Sequence, residues 1–280
     1  MTSIQMLAID LDDTLLRSDL TISFRTRNAI RKAESLGCVV VLASGRIPSA
    51  MEHFARLLGL HKRPGYLICN NGTMIQESHT GKLIYEAKIP PKIALVAYDL
   101  AAAEGFPVQL YEDDIMYISR PNEFADYDQK LTGLRQVVVE NFRAMVGNGC
   151  YKLIIPGDPM TLRPLENILQ TYIGGETTIF TSKPYFLEIL PHNVDKGTSL
   201  SKVAEVLGIP RSAVLAIGDS MNDEAMIRWA GIGVAMANGD DRIKDIAAMV
   251  TNKSNDDDGV ADLIERYILG KEALPKPADA

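Results

Sequence analysis

Over roughly the first 80 residues, apolar positions fall in short continuous runs separated by amphipathic stretches. The runs "MLAID", "CVVVLAS" and "GYLICNNG" are too short for helices and do not alternate with polar residues. They predict strands buried on both faces. Between them, "SFRTRNAIRKAESLG" and "IPSAMEHFARLLGL" carry helical spacing, the first ending on Gly37 as a C-terminal cap. Strand, helix, strand, helix, strand is the rhythm of a parallel sheet covered by helices on both sides.

The rhythm changes near residue 84. "FPVQLYEDDIMYISR" predicts two strands around a turn at Glu112 to Asp114. "CYKLIIPG" and "TTIFTSKPYFLEILP" follow, the latter broken at Lys183-Pro184 into a hairpin. Helical segments at about 91–104 and 159–171 lie between them. Strands in adjacent pairs with a few helices predict an antiparallel α+β module. From "VDKGTSLSKVAEVLGI" onward the alternation returns, through the strands "AVLAIGD" and "GIGVAMANG" to a last strand around Ala248 to Thr251. The fold class expected is therefore α/β: a parallel-sheet core, 1–83 and 191–270, with an α+β domain inserted at 84–190. Residues 271–280, "KEALPKPADA", predict a flexible tail.

Composition narrows the function classes. Of 280 residues, 46% are hydrophobic and 23% charged, ordinary values for a globular chain. A net charge of −7 argues against nucleic acid or an anionic membrane as partner. An acidic protein that handles anions must gather positive charge locally, through a metal or a few placed lysines. The three cysteines, Cys38, Cys69 and Cys150, form no C-x-x-C pair, and an odd count argues against a disulfide framework. No leader of signal-peptide form opens the chain and no apolar run approaches the ~20 residues of a membrane span. The expectation is a soluble, cytoplasmic, reduced protein.

Three polar groups stand at the ends of predicted parallel strands. Asp10, Asp12 and Asp13 follow "MLAI", Ser44-Gly45-Arg46 follows "VVVLA", and "GDSMND", residues 218–223, follows "AVLAI". In a parallel sheet all three emerge at the carboxyl edge, where open α/β sheets bind ligands. Asp10 and Asp219 offer hard anionic oxygens that suit Mg²⁺. Ser44 and the amide of Gly45, read as a helix N-terminus, suit a phosphate oxygen. Lys196, opening the helix that leads back to "AVLAI", offers the compact cation a phosphoryl group needs. Crowded acids become attractive to a phosphate once a cation sits among them.

In this order, "DLDDT", "VLASGR", the lysine of "VDKG" and "GDSMND" resemble the four signature motifs of the haloacid dehalogenase-like (HAD) phosphohydrolases. The stretches "ICNNG", "YFLEILP", "GVAMANG" and "NDDDGVADLIE" are similar to the Cof-type branch, which carries a large cap inserted between the second and third motifs. The resemblance covers roughly residues 4 to 269, and departs from the commonest pattern at Asp13, where glycine is frequent, and at Asp195, where serine is.

The resemblance implies a Rossmann-like core and a Mg²⁺-dependent phosphatase of small phosphorylated metabolites, sugar phosphates or phosphorylated cofactors, working through an aspartyl-phosphate. Asp10 would be nucleophile and metal ligand. Asp12 would protonate the leaving oxygen and then deprotonate water, its backbone carbonyl also binding the metal. Asp219 would complete the metal site, with Asp223 supporting it from behind or binding the metal through water, and Thr14 would be a structural hydroxyl supporting the loop. Ser44, Gly45, Lys196 and Asn222 would hold the phosphoryl oxygens. Arg46 either contacts substrate or cap, or is a first-turn surface residue. Asn70, Asn71 and Asn238 read as turn residues, and Asp256 to Asp258 as a solvated acidic loop. A phosphomutase of the same superfamily, or a non-enzymatic regulator retaining the fold, are the alternatives.

Overall fold

Complete burial of Met6–Asp10 (β1) identifies the centre of the molecule's larger sheet, since a strand buried at every position must be covered on both faces. The computed structural model describes residues 4–270, 272 and 273. After β1 come Phe24–Ser35 (α1), Val39–Ala43 (β2), Pro48–Leu58 (α2) and Gly65–Cys69 (β3), the alternation that the apolar pattern requires. Ser23 caps α1 by accepting a hydrogen bond from the Thr26 amide, and Gly37 follows the helix at φ +91°. Two short strands follow, Met74–Glu77 (β4) and Leu83–Glu86 (β5).

An inserted stretch holds Pro91–Ala103 (α3), Gln109–Glu112 (β6), Ile115–Ile118 (β7), Glu123–Thr132 (α4) and Arg135–Val138 (β8). It continues through Phe142–Val146 (α5), Leu153–Pro156 (β9), Pro159–Ile173 (α6), Thr177–Lys183 (β10) and Phe186–Pro191 (β11). The chain then returns through Lys196–Leu207 (α7), Val214–Gly218 (β12), Glu224–Trp229 (α8) and Ile232–Ala235 (β13). Asp241–Ile246 (α9), Met249–Val250 (β14) and Gly259–Leu263 (α10) close the described core.

The core sheet runs β14-β13-β12-β1-β2-β3-β4-β5. β1 pairs in parallel with β12 on one side, Ile9 opposite Ile217, and with β2 on the other, Asp10 opposite Ala43. Side chains alternate along β1. Leu7 and Ile9 pack with Ile30, Leu58 and Leu263, whereas Met6 and Ala8 pack with Leu200, Val203 and Met226. Burial of each large aliphatic side chain contributes about 1.5–3 kcal/mol. The sheet is not wholly parallel, as the sequence had suggested: β4 turns back antiparallel to β3. The turn is made at Asn70 and Asn71, both at positive φ. The strands it introduces are short and half-exposed, so their apolar signal is weak.

The inserted sheet runs β10-β11-β9-β6-β7-β8. One face, with Leu110, Leu153, Ile155, Leu187 and Ile189, packs with Ala94 and Ala97 of α3 and Leu162, Leu165 and Leu169 of α6. The expected antiparallel arrangement holds except at one edge, where β8 lies parallel to β7 with Arg135 opposite Ile115. A parallel pair needs a crossover, and α4 supplies it.

The chain divides into two compact units, one comprising residues up to Tyr85 and from Asp195 onward, the other Glu86–Val194. The inserted unit thus begins at Glu86 rather than 84 and ends at Val194 rather than 190. Of the expected flexible tail, residues 271 and 274–280 lie outside the described residues; Glu272 pairs with Arg266. Cys38, Cys69 and Cys150 are buried and unbridged. Among the described residues no helix is long and apolar enough to cross a membrane.

Candidate active site

At the carboxyl end of β1, Asp10 is 4% exposed. The chain then winds through a tight turn in which the Leu16 amide donates to the Leu11 carbonyl at 2.8 Å, anchored by buried Leu11, Leu15 and Leu16. Asp13 holds the turn at φ +57°, a left-handed conformation that explains why glycine suits this position. Its carbonyl accepts from Asn238 Nδ2 at 2.7 Å, so Asn238 is structural, as expected. The turn also aims the Thr14 hydroxyl at Asp219 Oδ1, 2.9 Å away.

Lys196 enters from the first turn of α7. Asp195 caps that helix reciprocally with Thr198: its carboxylate accepts from the Thr198 amide and its own amide donates to the Thr198 hydroxyl. The acid found where serine is frequent therefore acts as a helix cap. Fully buried, the Lys196 ammonium donates to Asp10 Oδ1 and to Asp223 Oδ1, each at 2.6 Å. Asp223 Oδ2 accepts from the amides of Asp219 and Ser220 at 3.0 and 3.1 Å. Gly218 makes room for this: a β-carbon there would lie 2.5 Å from Cβ and Cγ of Asp223.

Carboxylate oxygens of Asp10, Asp219 and Asp223 lie within 4.8 Å of one another. One ammonium faces three carboxyls, and the protonation preferences record the imbalance. Burial, then the charge of Asp223, raises Asp10 well above its ordinary range, with Lys196 opposing. Burial, then Asp223, pushes Asp219 up to about 7, while the Thr14 hydroxyl pulls it down. Burial alone would lower Lys196, but Asp10 and Asp223 together override it and raise its pKa. A cluster of hard, buried, under-neutralised oxygens is a donor set that fits a divalent cation.

Ser44, 1% exposed, follows β2 directly; its carbonyl accepts from the Asn71 amide at 3.0 Å and its hydroxyl from the Arg46 amide at 3.2 Å. The helix that follows begins at Pro48 with Ile47 as N-terminal cap, so Ser44 and Gly45 precede it rather than cap it. A β-carbon at Gly45 would come within 3.1 Å of Asn71 Oδ1. The same Asn71 oxygen accepts from Asn222 Nδ2 at 3.1 Å, and Ser220 Oγ donates to Asn222 Oδ1 at 2.7 Å. Asn71, read from sequence as a turn residue, thus links the Ser44 loop to the Asn222 loop. Its signal was available: it ends a strand at the sheet edge that carries the other motifs.

Arg46 reaches across to the loop after β1. Its Nε and Nη2 donate to Asp12 Oδ2 and Oδ1 at 2.9 and 2.6 Å, and its guanidinium lies 5.4 Å from the centre of the Phe54 ring. The Asp12 carboxylate is not among the three whose oxygens converge. The 256–258 loop is also more than solvated acid. Asp256 accepts from the amide and hydroxyl of Ser18 at 2.8 and 2.7 Å, and Asp258 from Arg17 Nη2 at 2.8 Å.

A Rossmann-like sheet with two acid-bearing loops, a buried lysine and a polar second strand end at one edge defines a class of phosphoryl-handling α/β hydrolase. The chain belongs to the haloacid dehalogenase-like hydrolase family, whose model matches residues 7–264. It is 31% identical over 288 residues to the 5-amino-6-(5-phospho-D-ribitylamino)uracil phosphatase YwtE of Bacillus subtilis, covering 95% of this chain and 99% of that one. A second B. subtilis 5-amino-6-(5-phospho-D-ribitylamino)uracil phosphatase, YcsE, is 30% identical over 269 residues, covering 95% and 96%. Among solved structures, a haloacid dehalogenase-like hydrolase from Bacteroides thetaiotaomicron superposes with a TM-score of 0.85 at 32% identity, covering 94% and 98%.

Proposed function

We propose that the protein is a Mg²⁺-dependent phosphatase of small phosphorylated metabolites, acting through a phosphoryl group carried on Asp10. The observation that carries this reading is the contact of Asp10, at a strand end, with the buried Lys196 ammonium inside a cluster of three acids. Asp10, Asp219 and the backbone at Asp12 would hold the cation. When bound, it supplies positive charge to the phosphoryl oxygens and favours the ionised carboxylates.

In the first half of the reaction an Asp10 oxygen attacks phosphorus, and the bond to the leaving oxygen breaks with its electron pair. That oxygen takes a proton from Asp12. In the second half water attacks the same phosphorus, Asp12 takes the water proton, and the Asp10 carboxylate is restored as inorganic phosphate leaves. Lys196, Asn222, Ser44 and the Gly45 amide would hold phosphoryl oxygens as charge develops.

Similarity to YwtE and YcsE, both 5-amino-6-(5-phospho-D-ribitylamino)uracil phosphatases, supports a sugar phosphate or phosphorylated cofactor as the substrate class. Residues 86–194 would act as the cap that selects it. Three buried thiols support a reducing, cytoplasmic setting. A panel of phosphorylated metabolites with Mg²⁺ tests the reading through release of inorganic phosphate. Isomerised ester without free phosphate would establish a mutase instead, and no turnover of any ester a non-enzymatic role.

A further inference from the structure

We infer that Arg46 is a positioning residue: it fixes the Asp12 carboxylate for the attack of water on the phosphoenzyme and does not contact substrate. The inference rests on the reading of Asp12 as acid and base given above. Arg46 is itself held at several points. Its amide donates to Ser44 Oγ, its carbonyl accepts from the Asn70 amide at 2.9 Å, and its guanidinium lies over Phe54. Asp12, by contrast, has a side chain that is 45% exposed, against 18% for Arg46, and the bidentate fork is the contact that orients it. A short acid on an exposed turn would otherwise sample several rotamers.

The geometry of the fork favours one half of the reaction. Two parallel N–H donors engage both oxygens of an ionised carboxylate, and each oxygen keeps a further lone pair for a water proton. A carboxyl group that still carries its proton offers one oxygen fewer to the fork. Loss of Arg46 is therefore expected to slow hydrolysis of the phosphoenzyme more than its formation.

Rapid-quench kinetics with p-nitrophenyl phosphate, whose leaving group departs without a proton, separates the two halves. Arg46→Ala should release about one equivalent of p-nitrophenol in a burst and then turn over up to about 10²-fold more slowly than wild type, with KM falling in step with kcat so that kcat/KM stays within about twofold. Guanidinium chloride at millimolar concentration should restore the slow phase, and Arg46→Lys should restore it less, because an ammonium cannot fork. A tenfold rise in KM with unchanged kcat and no burst would place Arg46 on the substrate and overturn the inference, as would full recovery in Arg46→Lys. Circular dichroism of Arg46→Gln, measured beside it, guards against loss of folding; the same burst is expected of that variant. Asp12→Asn separates the two failures. If Asp12→Asn stalls while Arg46→Ala does not, the positioning role is wrong; if Asp12→Asn turns over normally, the role of Asp12 itself is wrong.

Discussion

Lys196 Nζ lies 2.6 Å from Asp10 Oδ1, and neither side chain reaches solvent appreciably, at 0% and 6% exposure. A buried ion pair of this kind is weak support for stability as a whole but costly to break from one side. Replacing Lys196 by Met leaves Asp10 and Asp223 facing each other without their shared cation, and is expected to cost about 3–5 kcal/mol. Urea unfolding at neutral pH measures it; a loss below about 1 kcal/mol, the range of an exposed pair, would contradict the burial.

Asp10→Asn is expected to fold as wild type does and to show essentially no turnover. An amide oxygen in that place is not a competent nucleophile. Activity within about tenfold of wild type would remove Asp10 from the chemistry, since covalent catalysis cannot survive loss of its nucleophile.

The space at Gly218 offers a test that replaces no charged residue. Gly218→Ala puts a methyl carbon 2.5 Å from Asp223 Cγ, so Asp223 must move away from Lys196 and from the Asp219 amide. The variant should lose activity and thermal stability together. Retention of both would mean that the 218–223 loop yields without cost.

Metal binding and pH are linked through Asp219. Its folded-state pKa is raised to about 7, by burial first, from an ordinary 3.8, so the folded protein holds a proton that the unfolded chain has lost across that window. The stability this proton represents is complete below about pH 4 and is lost as pH rises through 7. Asp10 is shifted in the same direction. A divalent cation requires the ionised carboxylates, so its affinity rises over the same range. The Mg²⁺-induced increase in Tm should be larger at pH 8 than at pH 6, and Asp219→Ala should flatten that difference. EDTA should abolish turnover and Mg²⁺ restore it; full activity in metal-free buffer would refute the site.

How much of this was legible in the chain follows from the physics of each signal. β1, β2 and β12 were readable because a strand buried on both faces leaves a continuous apolar run. Their polar ends could then be assigned to one edge, which is how Asp10, Ser44 and Asp219 were placed together. Hydrogen bonding across the sheet was not readable. Nothing in the spacing of Asp12 and Arg46, or of Asn71 and Asn222, says that their side chains meet. The parallel edge at β8 escaped because its pattern is half-exposed and its crossover helix, α4, carries only a short apolar stripe.

Pairing of Met6 with Val214 gives the core an order of assembly. During synthesis β1 can find β2 early, yet its other edge stays unpaired until residues 214–218 have been made. At ribosomal rates that interval is on the order of ten seconds, during which a strand edge apolar from Met6 to Ile9 is available to other chains. The inserted unit, whose pairings all lie within residues 86–194, can complete its fold within that interval. Truncations ending between residues 195 and 213 should therefore yield a folded insertion tethered to an aggregation-prone half-core, and the vulnerable species in the life of this protein is the nascent chain rather than the finished enzyme.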